Sequence, residues 1–217
     1  MQTERGIRTS PSPKLGFVRR FGRTQRALHW THATAFFALL GTGLVLWLPA
    51  LSVWVGRRAL VKEIHVWTAV AWAAAVALII ILGDRKGLRA DWREIERIDR
   101  DDRGWLLGRR TPQGRFNAGQ KLNAIFTTAF ALLFAASGVL LWLAVRESRF
   151  RWDGPIVVHD ALTLVSLALV LGHLYLALVH PTTRHALRGM TRGDVREDWA
   201  REHHPKWIEE SERQTGV

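Results

Sequence analysis

Four long stretches of this chain carry almost no charge. Between Arg26 and Arg57 lie 30 residues without Asp, Glu, Lys or Arg, residues 64–83 are 20 more, residues 122–145 another 24, and residues 154–183 contain only Asp160. At ~1.5 Å rise per helical residue, ~20 residues cover the ~30 Å hydrocarbon core of a bilayer. A helix on the outside of a soluble globule carries a polar stripe toward water, and these segments have none. The pattern therefore predicts an all-α fold, an integral membrane four-helix bundle. Its spanning helices fall at 26–48, 62–83, 118–145 and 155–181, with Pro49 ending a helix. A soluble bundle of buried helices is the competing reading. The first segment is longer than the apolar region of a secretory signal and lacks a small-residue cleavage site, so it reads as a spanning helix.

The charges that the spans exclude fall unevenly on the two sides. Of the 31 Lys and Arg residues, 25 lie in the N-terminal tail, the 84–121 loop and the segment after 183, and 6 lie in the loops 49–63 and 146–153. The positive-inside rule then puts both termini and the long middle loop in the cytoplasm, in a cell inner membrane. Trp47, Trp54, Trp142 and Trp152 fall near the outer ends, where an interfacial aromatic belt belongs. The net charge of +12 is accounted for by topology and anionic lipid, and it requires no nucleic acid. Residues 1–15, rich in Pro, Ser and Thr, read as a loose tail.

Cysteine is absent. This excludes disulfides, cysteine-held iron–sulfur clusters, a thiolate nucleophile and thioether-attached haem. Histidine is plentiful at 9, and His29, His32, His65, His159 and His173 sit within apolar spans, with His180 near the inner end of the fourth. Ionisable groups at such depth are costly, and they mark functional sites by default.

His159 and His173 are 14 residues apart, which brings them to nearly one face of a helix, ~21 Å apart along its axis. His65 begins the second span from the outside, so it can share an outer layer with His159. His29 begins the first span at the inner face, so it can share an inner layer with His173. Two facing pairs suit two stacked bis-histidine haems, whose apolar rings would fill the bundle. Geometry alone also admits His32 with His173, or His29 with His180, with helix tilt absorbing the difference. A zinc site would gather its ligands in one place. Gly41, Gly43 and Gly138 fit either a flat macrocycle or close helix packing. Asp160 either orients a ligand or faces water. Arg20, Arg23 and Arg26 suit haem propionates or simple anchoring. Asn117, Gly119 and Gln120 open the third span at the inner edge, where they would bind a quinone or cap the helix.

The ordered strings RALHW (26–30), EIHVW (63–67), FNAGQK (116–121), VVHD (157–160), LGHLYLAL (171–178), RGM (188–190) and DWAREHHPKW (198–207) together resemble the cytochrome b (gamma) subunit of membrane-bound, quinone-linked formate dehydrogenases. The likeness runs from about residue 17 to residue 210. It implies two haems b, with axial pairs His29/His173 (inner) and His65/His159 (outer). It also implies a menaquinone site at Asn117, Gly119, Gln120 and His173. The implied electron donor is an iron–sulfur beta subunit fed by a molybdenum or tungsten alpha subunit, which agrees with the lack of cysteine here.

On this reading residues 1–20 are a cytoplasmic tail, 21–183 the di-haem cytochrome b domain and 184–217 a cytoplasmic helical tail. The chain then passes electrons across the membrane to quinone and does not itself oxidise formate. The wider group includes cytochrome b subunits of nickel–iron hydrogenases and thiosulfate-type reductases. Readings of a different class are a cofactor-free membrane anchor and a histidine proton pathway, the latter short of acidic partners beyond Asp160. The extra histidines His32, His180 and His185 have no assigned role. Neither has the HHPKW segment at 203–207, whose His203 and His204 are expected to be solvated and to touch a partner or lipid.

Overall fold

The computed structural model describes residues 16–215, so the expected tail at 1–15 lies outside the described residues. Among the described residues four helices are long and apolar enough to cross a membrane: α1 (Arg23–Trp47), α3 (Arg58–Leu82), α6 (Ala118–Ala144), and α7 (Gly154–Leu174) extended by a π-helical turn over Tyr175–Val179. Their most apolar windows are between 0% and 11% buried. Trp67, Leu132 and Val157, each on a different span, are all more than 60% exposed. A soluble bundle would turn such side chains inward. Here the apolar surface faces outward along the spans, which decides for a lipid-embedded bundle. The protein is an integral membrane protein.

The spans pack as two hairpins, α1 against α3 and α6 against α7. Pro49 starts a short helix, α2 (Pro49–Val55), after Leu48 has closed α1 with an N–H to Leu44 O bond. Proline has no N–H to lose at a first helical turn, so the same residue that bars continuation of α1 opens α2. Gly56, at φ 66°, then reverses the chain into α3. The second hairpin turns through a single 3-10 turn at Ser148–Phe150.

All the remaining elements gather at the opposite end. They are β1 (Phe17–Arg19), α4 (Arg85–Ile95), α5 (Arg100–Leu106), a 3-10 turn at Arg184–Ala186, α8 (Leu187–Thr191), β2 (Asp194–Arg196), α9 (Glu197–His203) and α10 (Pro205–Thr215). β1 and β2 form a two-stranded antiparallel sheet with Val18 opposite Val195. The sequence reading has no strand here, because three-residue strands are too short for alternation to register. Gly193, at φ 92°, makes the turn before β2, and its carbonyl accepts the N–H groups of Arg20 and Phe21 at 2.8 and 3.0 Å. Both ends of the described chain are thus tied into one small apolar core of Val195, Trp199, Ala200 and Ile208.

That core meets the middle loop. Arg20 is 3% exposed; its guanidinium stands over the Phe21, Trp199 and Trp207 rings and donates to Arg115 O at 2.5 Å. Lys206 binds Asp99 and Asp101, at 3.0 and 2.6 Å. His204, expected in solvent, is 1% exposed and its Nδ1 lies 2.7 Å from Gly114 O. The correction has a simple cause. The HHPKW segment is polar in composition, but Trp199 and Trp207 bracket it, and their rings wall His204 in. Burial first, and the charge of Arg20 second, push the His204 imidazole down to about 3, so at neutral pH it is uncharged and its Nδ1–H donates to the carbonyl.

Candidate functional site

The two hairpins meet through histidines. His29, in the second turn of α1, and His173, near the end of α7, face each other with ring centres 6.2 Å apart. His65, two turns into α3, and His159, early in α7, face each other at 6.3 Å. The two pairs share α7, so the 14-residue step sets their levels ~21 Å apart along it. His32 does not join either pair. Its ring lies between Phe36 and Trp72, at 6.4 and 5.8 Å. His180 turns toward Tyr175 and the Thr182 hydroxyl.

The spacing permits a test of what could sit between the rings. An ion bound by one nitrogen of each imidazole at ~2 Å, with that nitrogen ~1 Å from the ring centre, separates the centres by ~6 Å. Both pairs meet that requirement. Among the described residues no three His, Asp or Glu side chains converge as a protein-only metal site would need. Two facing imidazoles with no third protein donor beside them would suit an iron already held in a planar macrocycle. The residues present therefore fit a haem between each pair.

The His65 and His159 rings each have a further partner inside their own hairpin. Thr42 Oγ1 on α1 lies 2.8 Å from His65 Nδ1, and Ser137 Oγ on α6 lies 2.9 Å from His159 Nδ1. Each hydroxyl precedes a glycine. A methyl at Gly43 would come 3.5 Å from His65 Cε1, and one at Gly138 would come 3.8 Å from His159 Cε1. Sequence reasoning singled out both glycines and missed the hydroxyls beside them. The available signal was a Thr-Gly and a Ser-Gly pair, each on the helix that packs against a histidine-bearing span. Gly41 has no such neighbour. Phe134 adds an edge contact to His159 at 5.0 Å.

At the other end of the bundle the Asn117, Gly119 and Gln120 group forms the start of α6. Asn117 is the N-cap: its Oδ1 accepts the Gln120 N–H at 2.9 Å, and Gln120 Oε1 accepts the Asn117 N–H at 3.1 Å. Gln120 Oε1 also accepts from Arg20 Nη2 at 3.0 Å. The Trp105 ring lies against Gly119, 3.0 Å from where a Cβ would stand. Beside this group, Lys121 and Asp102 form a buried ion pair at 2.7 Å, with side chains 7% and 3% exposed. Arg115 pairs with Asp91 at 2.5 Å, and burial raises the Glu94 carboxyl above the usual range. Arg26 donates to Thr191 O at 2.8 Å, and Arg23 is exposed.

Compared with known families, residues 20–193 match the family model described as prokaryotic cytochrome b561. The chain belongs to the prokaryotic cytochrome b561 family. Membership implies that this membrane bundle binds haem b. The chain is also similar to three curated cytochrome subunits. The cytochrome b556(Fdn) subunit of the nitrate-inducible formate dehydrogenase of Escherichia coli K12 is 25% identical over 207 residues, covering 87% of this chain and 88% of the relative. The cytochrome b556(fdo) subunit of formate dehydrogenase from the same organism is 24% identical over 215 residues, covering 90% and 94%. The formate dehydrogenase cytochrome b556 subunit of Haemophilus influenzae is 23% identical over 198 residues, covering 85% and 79%.

Proposed function

We propose that this cytochrome is the membrane subunit of a formate dehydrogenase, and that it passes electrons from an iron–sulfur subunit to menaquinone on the cytoplasmic side. The observation that carries the proposal is the pair of cross-hairpin imidazole couples, with centres at 6.2 and 6.3 Å, at two depths of one bundle. A haem b held by each couple would supply reversible one-electron reduction of its iron.

His65 and His159 would hold the outer haem, and His29 and His173 the inner one. His159 and His173 lie on one rigid helix, so α7 fixes the separation of the two stations, while α1 and α3 each bring one opposing ligand. The basic-residue count of 25 against 6 supports cytoplasmic termini, and with them the labels inner and outer. The coverage of full-length formate dehydrogenase cytochromes supports the choice of complex. The iron–sulfur beta subunit would carry the cysteine-held clusters that this chain has no residues for, and a molybdenum or tungsten alpha subunit would oxidise formate. The quinone site proposed at Asn117, Gly119, Gln120 and His173 lies on the inner side, where protons taken up on quinone reduction come from the cytoplasm. An electron moved inward against an outside-positive potential costs ~2.3 kcal/mol per 100 mV, so a strongly reducing donor is required.

The test is a reduced-minus-oxidised visible spectrum of membranes containing the complex. Formate should produce b-type bands, and added menaquinone analogue should reoxidise them. Bands that appear with dithionite but never with formate would assign the chain to another quinone-linked complex, such as a nickel–iron hydrogenase. No bands under either reductant would favour a cofactor-free anchor.

A further inference from the structure

The outer couple differs from the inner one in its hydrogen bonding. Among the described residues, no side chain hydrogen-bonds to the ring of His29 or His173, whereas both outer rings meet a hydroxyl through Nδ1. A hydroxyl has one proton to give and two lone pairs. Thr42 gives its proton to Ala38 O at 2.8 Å, and Ser137 gives its proton to Leu133 O at 2.7 Å, each one turn back along its own helix. With the proton committed, each oxygen faces the imidazole as an acceptor. A hydrogen on Nδ1 completes that contact and leaves Nε2 bare.

The arrangement is duplicated across the molecule. In the first hairpin α1 offers Thr42-Gly43 to the ring on α3. In the second, α6 offers Ser137-Gly138 to the ring on α7. In both, the glycine leaves the ring edge against open backbone, at 3.5 and 3.8 Å from the position of a methyl. Two unrelated helices converging on hydroxyl followed by glycine, at the same level and on the same ring atom, is more than helix packing by small residues requires.

We propose that Thr42 and Ser137 are matched positioning residues that hold His65 and His159 in the Nδ1–H tautomer, with Nε2 presented to iron. The proposal rests on the haem reading above. A ring whose N–H is drawn toward an acceptor is a more basic ligand. A more basic ligand favours oxidised iron, so the two hydroxyls lower the potential of the outer station relative to the inner. That bias drives electrons from outside to inside, the direction the proposed function needs.

The experiment is a redox titration of the full chain in native membranes, followed by optical and electron paramagnetic resonance spectra, on Thr42→Val, Ser137→Ala, the double variant and Thr42→Ser. The expected result is two haems per chain in the single variants, with an upward shift in the potential of one haem and none in the other. The shift is larger in the double variant and absent in Thr42→Ser, which keeps the acceptor. Selective loss of that one haem in the double variant is the same result in stronger form. Unchanged potentials and signals in the double variant, or equal shifts in both haems, overturn the proposal. His65→Ala in the same series reports on the haem reading separately. Loss of one haem there, with silent hydroxyl variants, means that the positioning role alone has failed.

Discussion

Asn117 and Gln120 cap one helix end reciprocally, each side chain accepting the other's backbone N–H, at 2.9 and 3.1 Å. Both side-chain oxygens are thereby committed to the protein, while among the described residues neither amide NH2 group has a hydrogen-bond acceptor. A quinone carbonyl at this place would therefore accept from nitrogen.

That distinction separates the capping role of Asn117 from its proposed quinone contact. Serine also caps helices well, whereas alanine costs about 1 kcal/mol at an N-cap. Asn117→Ser is expected to keep thermal stability and raise the KM for a menaquinone analogue, and Asn117→Ala to lower both stability and turnover. A wild-type KM in Asn117→Ser would reduce Asn117 to a cap.

Lys121 and Asp102 are expected to be coupled strongly. Removing one partner of a buried pair strands the other charge, a cost of ~3–5 kcal/mol. Lys121→Ala and Asp102→Ala should each lower the thermal unfolding midpoint of the detergent-solubilised chain by several degrees, with Lys121→Ala together with Asp102→Ala losing much less than the two single losses combined. Asp102 also closes the α5 capping box with Asp99, so Asp102→Ala carries a further, smaller cost of its own.

His204 makes the small apolar core around Val195 and Trp199 sensitive to acid. Its pKa falls from the ordinary 6.5 unfolded to about 3 folded, so between those values the unfolded state binds the extra proton. Stability contributed by the neutral imidazole is full above pH 6.5 and declines as the pH falls toward 3. Hydrogen exchange in α9 and α10 should therefore quicken between pH 7 and pH 5, relative to exchange in α3. His204→Gln, which can still donate to Gly114 O, should flatten that dependence. Glu94, whose carboxyl is raised by burial, works in the opposite sense and remains in both proteins, so the difference between them isolates His204.

The spans were legible because lipid imposes one requirement along ~20 residues, and a missing charge is visible in sequence. The histidine pairs were legible for a related reason. Imidazole has no place in hydrocarbon unless something holds it, so His29, His65, His159 and His173 stand out, and helical rise assigns them to layers. Choosing His29 over His32 needed more than rise. The structure brings the ring of His29 to His173 and turns His32 toward Trp72, a choice made by rotation about α1 that spacing three residues apart does not encode. The assembly at the end of the bundle that carries both ends of the described chain was not legible. It depends on a three-residue sheet joining residues 17–19 to 194–196, and on Arg20 and His204 buried between aromatic rings. Contacts over such separations leave no local period. The Thr42 and Ser137 hydroxyls were missed because a helix can satisfy any Ser or Thr on its own backbone, which makes one such residue in a span uninformative until its neighbour is seen.

The central claim is that facing imidazoles from two hairpins ligate two haems. It is tested most directly by the ratio of pyridine-extracted haem b to protein in the purified chain, measured for wild type, His65→Ala and His29→Ala. Two haems per chain in wild type, falling to one in either variant with the spectrum of the other haem intact, is the predicted outcome. A wild-type ratio of one or none, or a ratio that stays at two when His65 or His29 is removed, would contradict the account.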